Sequence, residues 1–254
     1  MQSIDASALE AAIVRNAAPT ITGIMPANLF TFPGHFVAAN TQYSSDSTTA
    51  SESTITAASE AHTAREALIK AVINWNTALT HTGIELTVLV WRSCGALILI
   101  YRRNVLERFL AQTNIQRALK QAGYPSTTLD ACLGEMAKRL AARGKWSVNA
   151  YSSNGVGNCL LGYAPREQNT CENCTHLRCA FPHEIGYFLG YPPHDVESFI
   201  TEKGKNFRLL GPWKVYHDIP RAAAMFARIR QCTNWCKERY QRGDRLHELV
   251  QAYV

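Results

Sequence analysis

The chain has 254 residues, of which 46% are hydrophobic and 18% are charged. This composition supports a buried core and excludes wholesale disorder, and the length corresponds to one large domain or two small ones. The net charge of +6 arises C-terminally, because residues 1–200 hold 15 basic and 15 acidic side chains whereas residues 201–254 hold 11 and 5. The eight cysteines are too few for a disulfide scaffold of this length.

The N-terminal segment carries an acid at Asp5 and no basic residue ahead of its apolar ones, which argues against a secretory signal. The longest apolar run, about 84–101, is interrupted by Glu85, Arg92 and Ser93 and does not make a membrane helix. We therefore expect a soluble cytoplasmic protein that has no membrane partner. Its cysteines are then thiols, metal ligands or redox groups.

The first predicted elements are a short helix over 4–16, which ends before Pro19, and a short strand around 27–32. Residues 41–63 contain 12 Ser or Thr among 23. This composition predicts a Ser/Thr-rich loop over about 41–57.

Apolar residues recur on one face of a predicted helix over 58–80. They are Leu68, Val72, Trp75 and Leu79. Two strands follow, over 85–91 and 96–102, and the four residues between them include Gly95, which predicts a β-hairpin. Since both strands are apolar almost throughout, we expect both of their faces to be covered.

The rest of the chain is predicted to be mainly helical. The predicted elements are helices over 104–112, 114–122 and 127–143, a helix from Pro182, a helix over 193–202, a strand over 212–217, and a long helix over 220–241 with a second piece after Gly243. Few strands and one antiparallel pair indicate an α+β fold, mostly helical and built around a small, at least partly antiparallel sheet. We expect a single domain over 1–254.

Several motifs stand close together in the C-terminal third. The segment 181–196 reads FPHEIGYFLGYPPHDV, and KGKN at 203–206 and GPWKVYHD at 211–218 follow it. Together they closely resemble a bacterial family, the domain of unknown function 3793, and the stretches 18–30 and 97–102 fit it too. The resemblance spans nearly the whole chain. It implies one compact unit found mainly in anaerobic bacteria, and it implies no reaction.

The chain departs from the family pattern at two points. Met25 stands where the family usually has Lys. About 35 residues also separate the helix near Arg139 from the PHEIG motif, where the family has a short connection. The segment of about 145–180 is therefore an insertion that the resemblance does not explain.

This inserted segment carries four cysteines spaced C-x11-C-x2-C-x4-C. They are Cys159, Cys171, Cys174 and Cys179. Four thiolates can complete a zinc site or hold an iron–sulfur cluster, and His176 can replace one of them. The spacing matches no standard zinc or ferredoxin signature. A redox dithiol and ordinary reduced cysteines therefore stay open as alternatives.

The other cysteines carry weaker signals. Cys232 and Cys236 are four residues apart on the last helix, so they either share a ligand face or pack inward as small apolar residues. Cys94, at the hairpin tip, is a candidate nucleophile without a supporting motif. Cys132 is expected in the core.

His183 and Glu184 are the candidate catalytic residues. We expect Pro182 to be the first helical residue, which places Glu184 in the first turn, where it complements the helix dipole. His183 is then a ligand, an acid or base, or a hydrogen-bonded anchor. Position 187 is Tyr, which excludes the H-E-x-x-H zinc motif.

Basic residues suggest two further kinds of binding. Candidates for an anion such as phosphate or carboxylate are Arg92, Arg102, Lys203, Lys205, Lys214 and Tyr216. A solvated basic rim is the alternative reading of these side chains. The final helix adds a basic stripe that suits nucleic acid or an acidic protein partner such as a small electron carrier.

Three functional classes therefore stay open. The first is a metal- or iron–sulfur-binding accessory or redox protein that uses the inserted cysteines. The second is an enzyme or small-anion-binding protein that uses His183 and the basic residues. The third is an interaction module that binds an acidic partner or nucleic acid.

Overall fold

The computed structural model describes residues 6–37, 52–92, 94–125, 128–142 and 181–252. The helices are α1 Ala6–Asn16, α2 Ala18–Ile21, α3 Glu52–Leu79, α4 Arg103–Leu110, α5 Thr113–Gln121, α6 Leu129–Ala141, α7 Ile185–Phe188, α8 Pro193–Thr201, α9 Ile219–Gln241 and α10 Leu246–Ala252. The strands are β1 Ala27–Pro33, β2 Ile84–Arg92, β3 Gly95–Arg102, β4 Leu209–Leu210 and β5 Lys214–Val215. This architecture confirms the predicted mostly helical α+β class.

The chain forms two compact units. Unit 1 combines Met1–Leu106 with Ile229–Val254, and unit 2 is Glu107–Arg228. Unit 1 is therefore assembled from two separate stretches of sequence, and unit 2 from the stretch between them.

Unit 1 contains a sheet of order β1-β3-β2, in which β3 pairs antiparallel with both neighbours. The central strand β3 is buried along almost its whole length, whereas the edge strand β2 is largely half-buried. The prediction that both hairpin strands are covered is therefore confirmed for β3 and wrong for β2. The difference follows from their places in the sheet, because an edge strand is open along one side.

Helix α3 packs along β2 and protects this edge. The Asn76 amide donates to the Leu86 carbonyl at 3.0 Å, and the Leu86 N–H donates to Asn76 Oδ1 at 2.8 Å. One side chain thus satisfies both backbone groups of an edge residue. Helix α3 begins at Glu52, so the last six residues of the loop predicted over about 41–57 are helical, and residues 41–51 lie outside the described residues.

The core of unit 1 joins α1, α3 and the sheet to the last two helices. Cys232 and Cys236 on α9 are fully buried in this core, as are Leu246 and Leu249 on α10. The inward-packing interpretation of the two cysteines is therefore confirmed.

A buried carboxylate holds α10 against α1. Glu10 on α1 is fully buried, and its Oε1 accepts from Arg245 Nε at 3.0 Å and from the Leu246 N–H at 2.8 Å. Arg245 Nη2 lies 2.6 Å from the other carboxylate oxygen. The buried charge is thus hydrogen-bonded through Oε1 and ion-paired through Oε2, which offsets the cost of its burial.

Unit 2 packs the apolar faces of its helices together. Its buried residues on α5 and α6 are Ile115, Leu119, Leu129, Leu133, Met136 and Leu140. Helix α7 is a single turn that starts at Ile185, so the prediction that Pro182 is the first helical residue is wrong. The Pro182 carbonyl instead accepts from the Ile185 N–H at 3.0 Å, in a turn that precedes the helix.

The predicted strand over 212–217 is reduced to the two residues of β5, which pair with β4. The N–H groups of Tyr216 and His217 bond to the Asp195 carboxylate instead of a neighbouring strand. A buried side chain has therefore replaced the sheet as the partner of this backbone. Among the described helices, none has the length and apolar character to cross a membrane.

Candidate functional site

Asp195 on α8 organises the region that carries the sequence motifs. Its carboxylate is 3% exposed. Oδ1 accepts from the N–H groups of Tyr216 at 2.8 Å and His217 at 3.1 Å, and Oδ2 accepts from Trp213 Nε1 at 2.9 Å. Three donors satisfy this buried charge, and they fix the path of the chain after β5.

Aromatic packing surrounds Trp213. Its ring stacks on Tyr191 with centroids 5.1 Å apart and meets Phe226 edge-on at 4.6 Å. Gly211 lies so close to Phe226 that a Cβ there would sit 2.1 Å from the ring carbon Cε2. Any side chain at this point of the GPW motif would therefore force the Phe226 ring to shift.

The turn after α8 has an unusual backbone. Lys203, Gly204 and Asn206 have φ values of 51°, 72° and 57°. Lys214 Nζ donates to the Gly204 carbonyl at 2.7 Å and lies 4.7 Å from the Phe207 ring centroid. The ammonium of Lys214, one of the anion candidates, is therefore engaged within the turn.

Tyr216 is the candidate most removed from solvent. Its side chain is 6% exposed, and its hydroxyl has no hydrogen-bond partner among the described residues. Burial, with added repulsion from Glu202 and Asp195, raises the pKa of Tyr216. The hydroxyl therefore stays protonated at neutral pH.

Exposed cations and exposed apolar side chains share residues 203–210, which we call the cationic turn. Lys203, Lys205 and Arg208 are exposed there and form no ion pair with any described residue. Phe207 is 38% exposed and Leu210 is 57% exposed. The turn thus combines positive charge with accessible apolar surface.

His183 is half-buried among aromatic rings. Its imidazole centroid lies 5.5 Å from Phe181 and 5.0 Å from Phe199. Glu184 immediately precedes α7. Burial of Tyr187 raises its pKa to about 12, and repulsion from the charges of Glu197 and Glu184 adds to that rise. The two candidate catalytic residues therefore face different neighbours.

Arg92 and Arg102 lie at opposite ends of the hairpin, since Arg92 pairs with Gly95 and Arg102 with Ile84. An eight-residue strand spans about 25 Å, so the two guanidinium groups do not form one site. Arg102 donates to the carbonyls of Thr20 and Ile21 at 2.8 Å each, and burial lowers its pKa. Its guanidinium group therefore satisfies the carbonyl groups at the C-terminal end of α2.

One polar pair was not predicted from the sequence. Ser198 Oγ and His217 Nε2 are 2.9 Å apart, and the His194 ring lies 6.0 Å from that of His217. Asp218, directly after His217, has a φ of 44°, a strained value for a residue other than glycine. Ser198 and His217 are 19 residues apart, so no local spacing could reveal the pair.

Cysteines in the described part of the chain form no metal site. Cys94 is exposed, and half-buried Cys132 donates to the Pro125 carbonyl at 3.0 Å. Within the described ranges, no group of three or more His, Cys, Asp or Glu side chains is arranged to hold a metal ion. The four candidate ligands, Cys159, Cys171, Cys174 and Cys179, lie outside the described residues, so that site stays a prediction.

Two cavities of about 590 and 420 Å³ lie in unit 2 around Tyr124 and Pro125. The larger is bordered by Glu135 and Lys138, and the smaller by Cys132. Neither cavity is lined by His183 or by the basic anion candidates.

These features define a mostly helical α+β protein whose sequence motifs gather around a buried aspartate in unit 2. The chain belongs to the family described as Protein of unknown function (DUF3793), whose sequence profile matches residues 13–250. The match extends over both units and confirms the resemblance seen in the motifs. No curated protein and no solved structure matches the chain.

Proposed function

We propose that this protein is an interaction module that docks an acidic partner protein through the cationic turn. The observation that carries the proposal is the combination, in one short segment, of exposed Phe207 and Leu210 with three exposed cations that no described residue pairs. Cations at a rim steer an acidic partner toward the surface, and apolar side chains supply contact area that stays desolvated in the complex.

The apolar side chains distinguish a protein partner from the other ligands of such a turn. Phosphate or a carboxylate would need only Lys203 and Lys205, and nucleic acid would rely mainly on contacts to its phosphates. Neither ligand gives a reason for an exposed leucine at position 210. Loss of binding on removal of Leu210 alone therefore supports a protein partner over both alternatives.

A photo-crosslinking amino acid at position 210 tests the proposal in cells that produce the protein. Position 73 on α3 is the matched control, because Ile73 is also 57% exposed. We expect a crosslinked protein specific to position 210. After purification, that protein should be acidic and should bind with an affinity that falls steeply as salt increases. A salt-independent interaction, or equal crosslinking at both positions, would contradict the proposal.

A second proposal concerns the inserted cysteines. We propose that Cys159, Cys171, Cys174 and Cys179 bind zinc or an iron–sulfur cluster, on the strength of their number and the C-x2-C spacing. Anaerobic purification followed by metal analysis and a visible spectrum tests this directly. We expect near-stoichiometric Zn or Fe, lost in Cys171→Ser and Cys174→Ser. Metal-free protein with unchanged stability in both variants would overturn it.

A further inference from the structure

Helix α8 and the chain after β5 bring a hydroxyl and an imidazole into hydrogen-bond contact. Ser198 Oγ lies 2.9 Å from His217 Nε2. This is the distance at which a histidine base can take the proton of a serine nucleophile. Ser198 is half-buried and His217 is exposed, so an electrophile can approach the pair from solvent.

The surrounding residues fix the main chain that carries the imidazole and place a second ring near it. Buried Asp195 accepts the backbone N–H of His217 at 3.1 Å, which fixes the main chain that carries the ring. His194, one turn before Ser198 on α8, places its ring 6.0 Å from that of His217. Asp195 is a positioning residue in this arrangement, because it acts on the main chain and not on the reacting atoms.

We propose that Ser198 is a nucleophile activated by His217 and that the pair cleaves acyl esters. Ser198 Oγ attacks the ester carbonyl while its proton passes to Nε2. The bond from the carbonyl carbon to the alkoxy oxygen then breaks, and the proton goes to the departing alcohol. Water attacks the acyl-serine with Nε2 taking its proton, the carboxylic acid leaves, and Ser198 regains its hydrogen.

The location of the pair limits the class of ester. Ser198 is half-buried and His217 is exposed, and neither residue lines the two cavities around Tyr124. This exposure favours an ester that reaches an open surface, such as an acyl group on an extended chain.

A tagged alkyl phosphonofluoridate tests the proposal on the full-length protein. Attack by Ser198 Oγ forms a P–O bond, the P–F bond breaks, fluoride leaves, and the hydroxyl proton passes to His217. We expect one adduct, mapped to the Ser198 peptide by mass spectrometry. Ser198→Ala should abolish it, and His217→Gln should slow it at least about ten-fold, as expected for loss of a general base.

Ser59→Ala on α3 is the matched control, because Ser59 is also a helical serine and is exposed. Its adduct should equal that of the unchanged protein. A second readout uses Ser198→Cys, which should react with iodoacetamide faster when His217 is present than when it is Gln. Absence of an adduct at Ser198, or equal labelling rates with and without His217, would overturn the proposal.

Discussion

The attachment of α10 to α1 depends on Glu10, whose buried carboxylate is paired with Arg245. Glu10→Gln keeps one acceptor oxygen but removes the charge that faces Arg245. We expect the free energy of unfolding, measured by urea denaturation, to fall by about 1–3 kcal/mol. Glu66→Gln is the control, since its partner His62 and Glu66 itself are both exposed, and it should change stability by less than about 0.5 kcal/mol. Equal effects of the two variants would show that burial of the carboxylate is unimportant.

The Cys236 thiol gives stability a dependence on alkaline pH. Burial, reinforced by neighbouring Cys232, raises its pKa from 9.0 to about 12. The unfolded chain loses this proton above about pH 9 while the folded chain keeps it. The stabilisation is therefore complete below pH 9 and is lost as pH rises toward 12.

Urea denaturation at pH 8, 9 and 10 measures this contribution. We expect the stability of the unchanged protein to fall with pH more steeply than that of Cys236→Ala. Cys94→Ala should keep the steep slope, because Cys94 is exposed. Parallel slopes for all three proteins would show that the thiol titrates alike in both states.

At the level of elements, the contact of the β4–β5 turn with α9 depends on a missing side chain. A Cβ at Gly211 would overlap the Phe226 ring, so Gly211→Ala should lower the free energy of unfolding by about 1–3 kcal/mol. Gly134→Ala is the matched control, since nothing lies within 4 Å of its Cβ position on α6. It should raise stability by about 0.5–1 kcal/mol in the same denaturation experiment, because Ala favours a helix. A neutral Gly211→Ala would mean that the ring moves aside freely.

Most elements could be predicted because their apolar residues repeat along the chain. Periodicity placed α3 and α6, and the hairpin followed from two apolar runs joined through Gly95. The early end of β5 could not be foreseen, since the next two N–H groups, of Tyr216 and His217, bond to Asp195, about 20 residues away. The Ser198–His217 pair escaped detection for the same reason. Local patterns report which face is buried, and they do not report which distant side chain meets a given backbone group.

For the whole molecule, the position of the basic residues matters more than their number. Two triple replacements by Glu change the net charge by the same amount. The first replaces the exposed cations of the cationic turn, Lys203, Lys205 and Arg208. The second replaces exposed cations on α9, namely Arg228, Arg230 and Lys237. We expect the first triple variant to weaken binding of the crosslinked partner by at least about ten-fold, or 1.4 kcal/mol. The second should have a much smaller effect. Titration calorimetry at two salt concentrations measures both, and equal losses would mean that binding follows overall charge.

Unit 1 is built from two separate stretches of sequence, so its folding cannot be completed until the second stretch has been translated. A ribosome translates residues 107–228 before it makes Ile229–Val254, which unit 1 needs to complete its core. The sheet and α3 therefore wait, with apolar surface uncovered, while the whole of unit 2 is translated. At about 5–20 residues per second, the roughly 120 residues of unit 2 take several seconds or more. The exposure ends when the buried residues of α9 and α10 take their places in the core of unit 1.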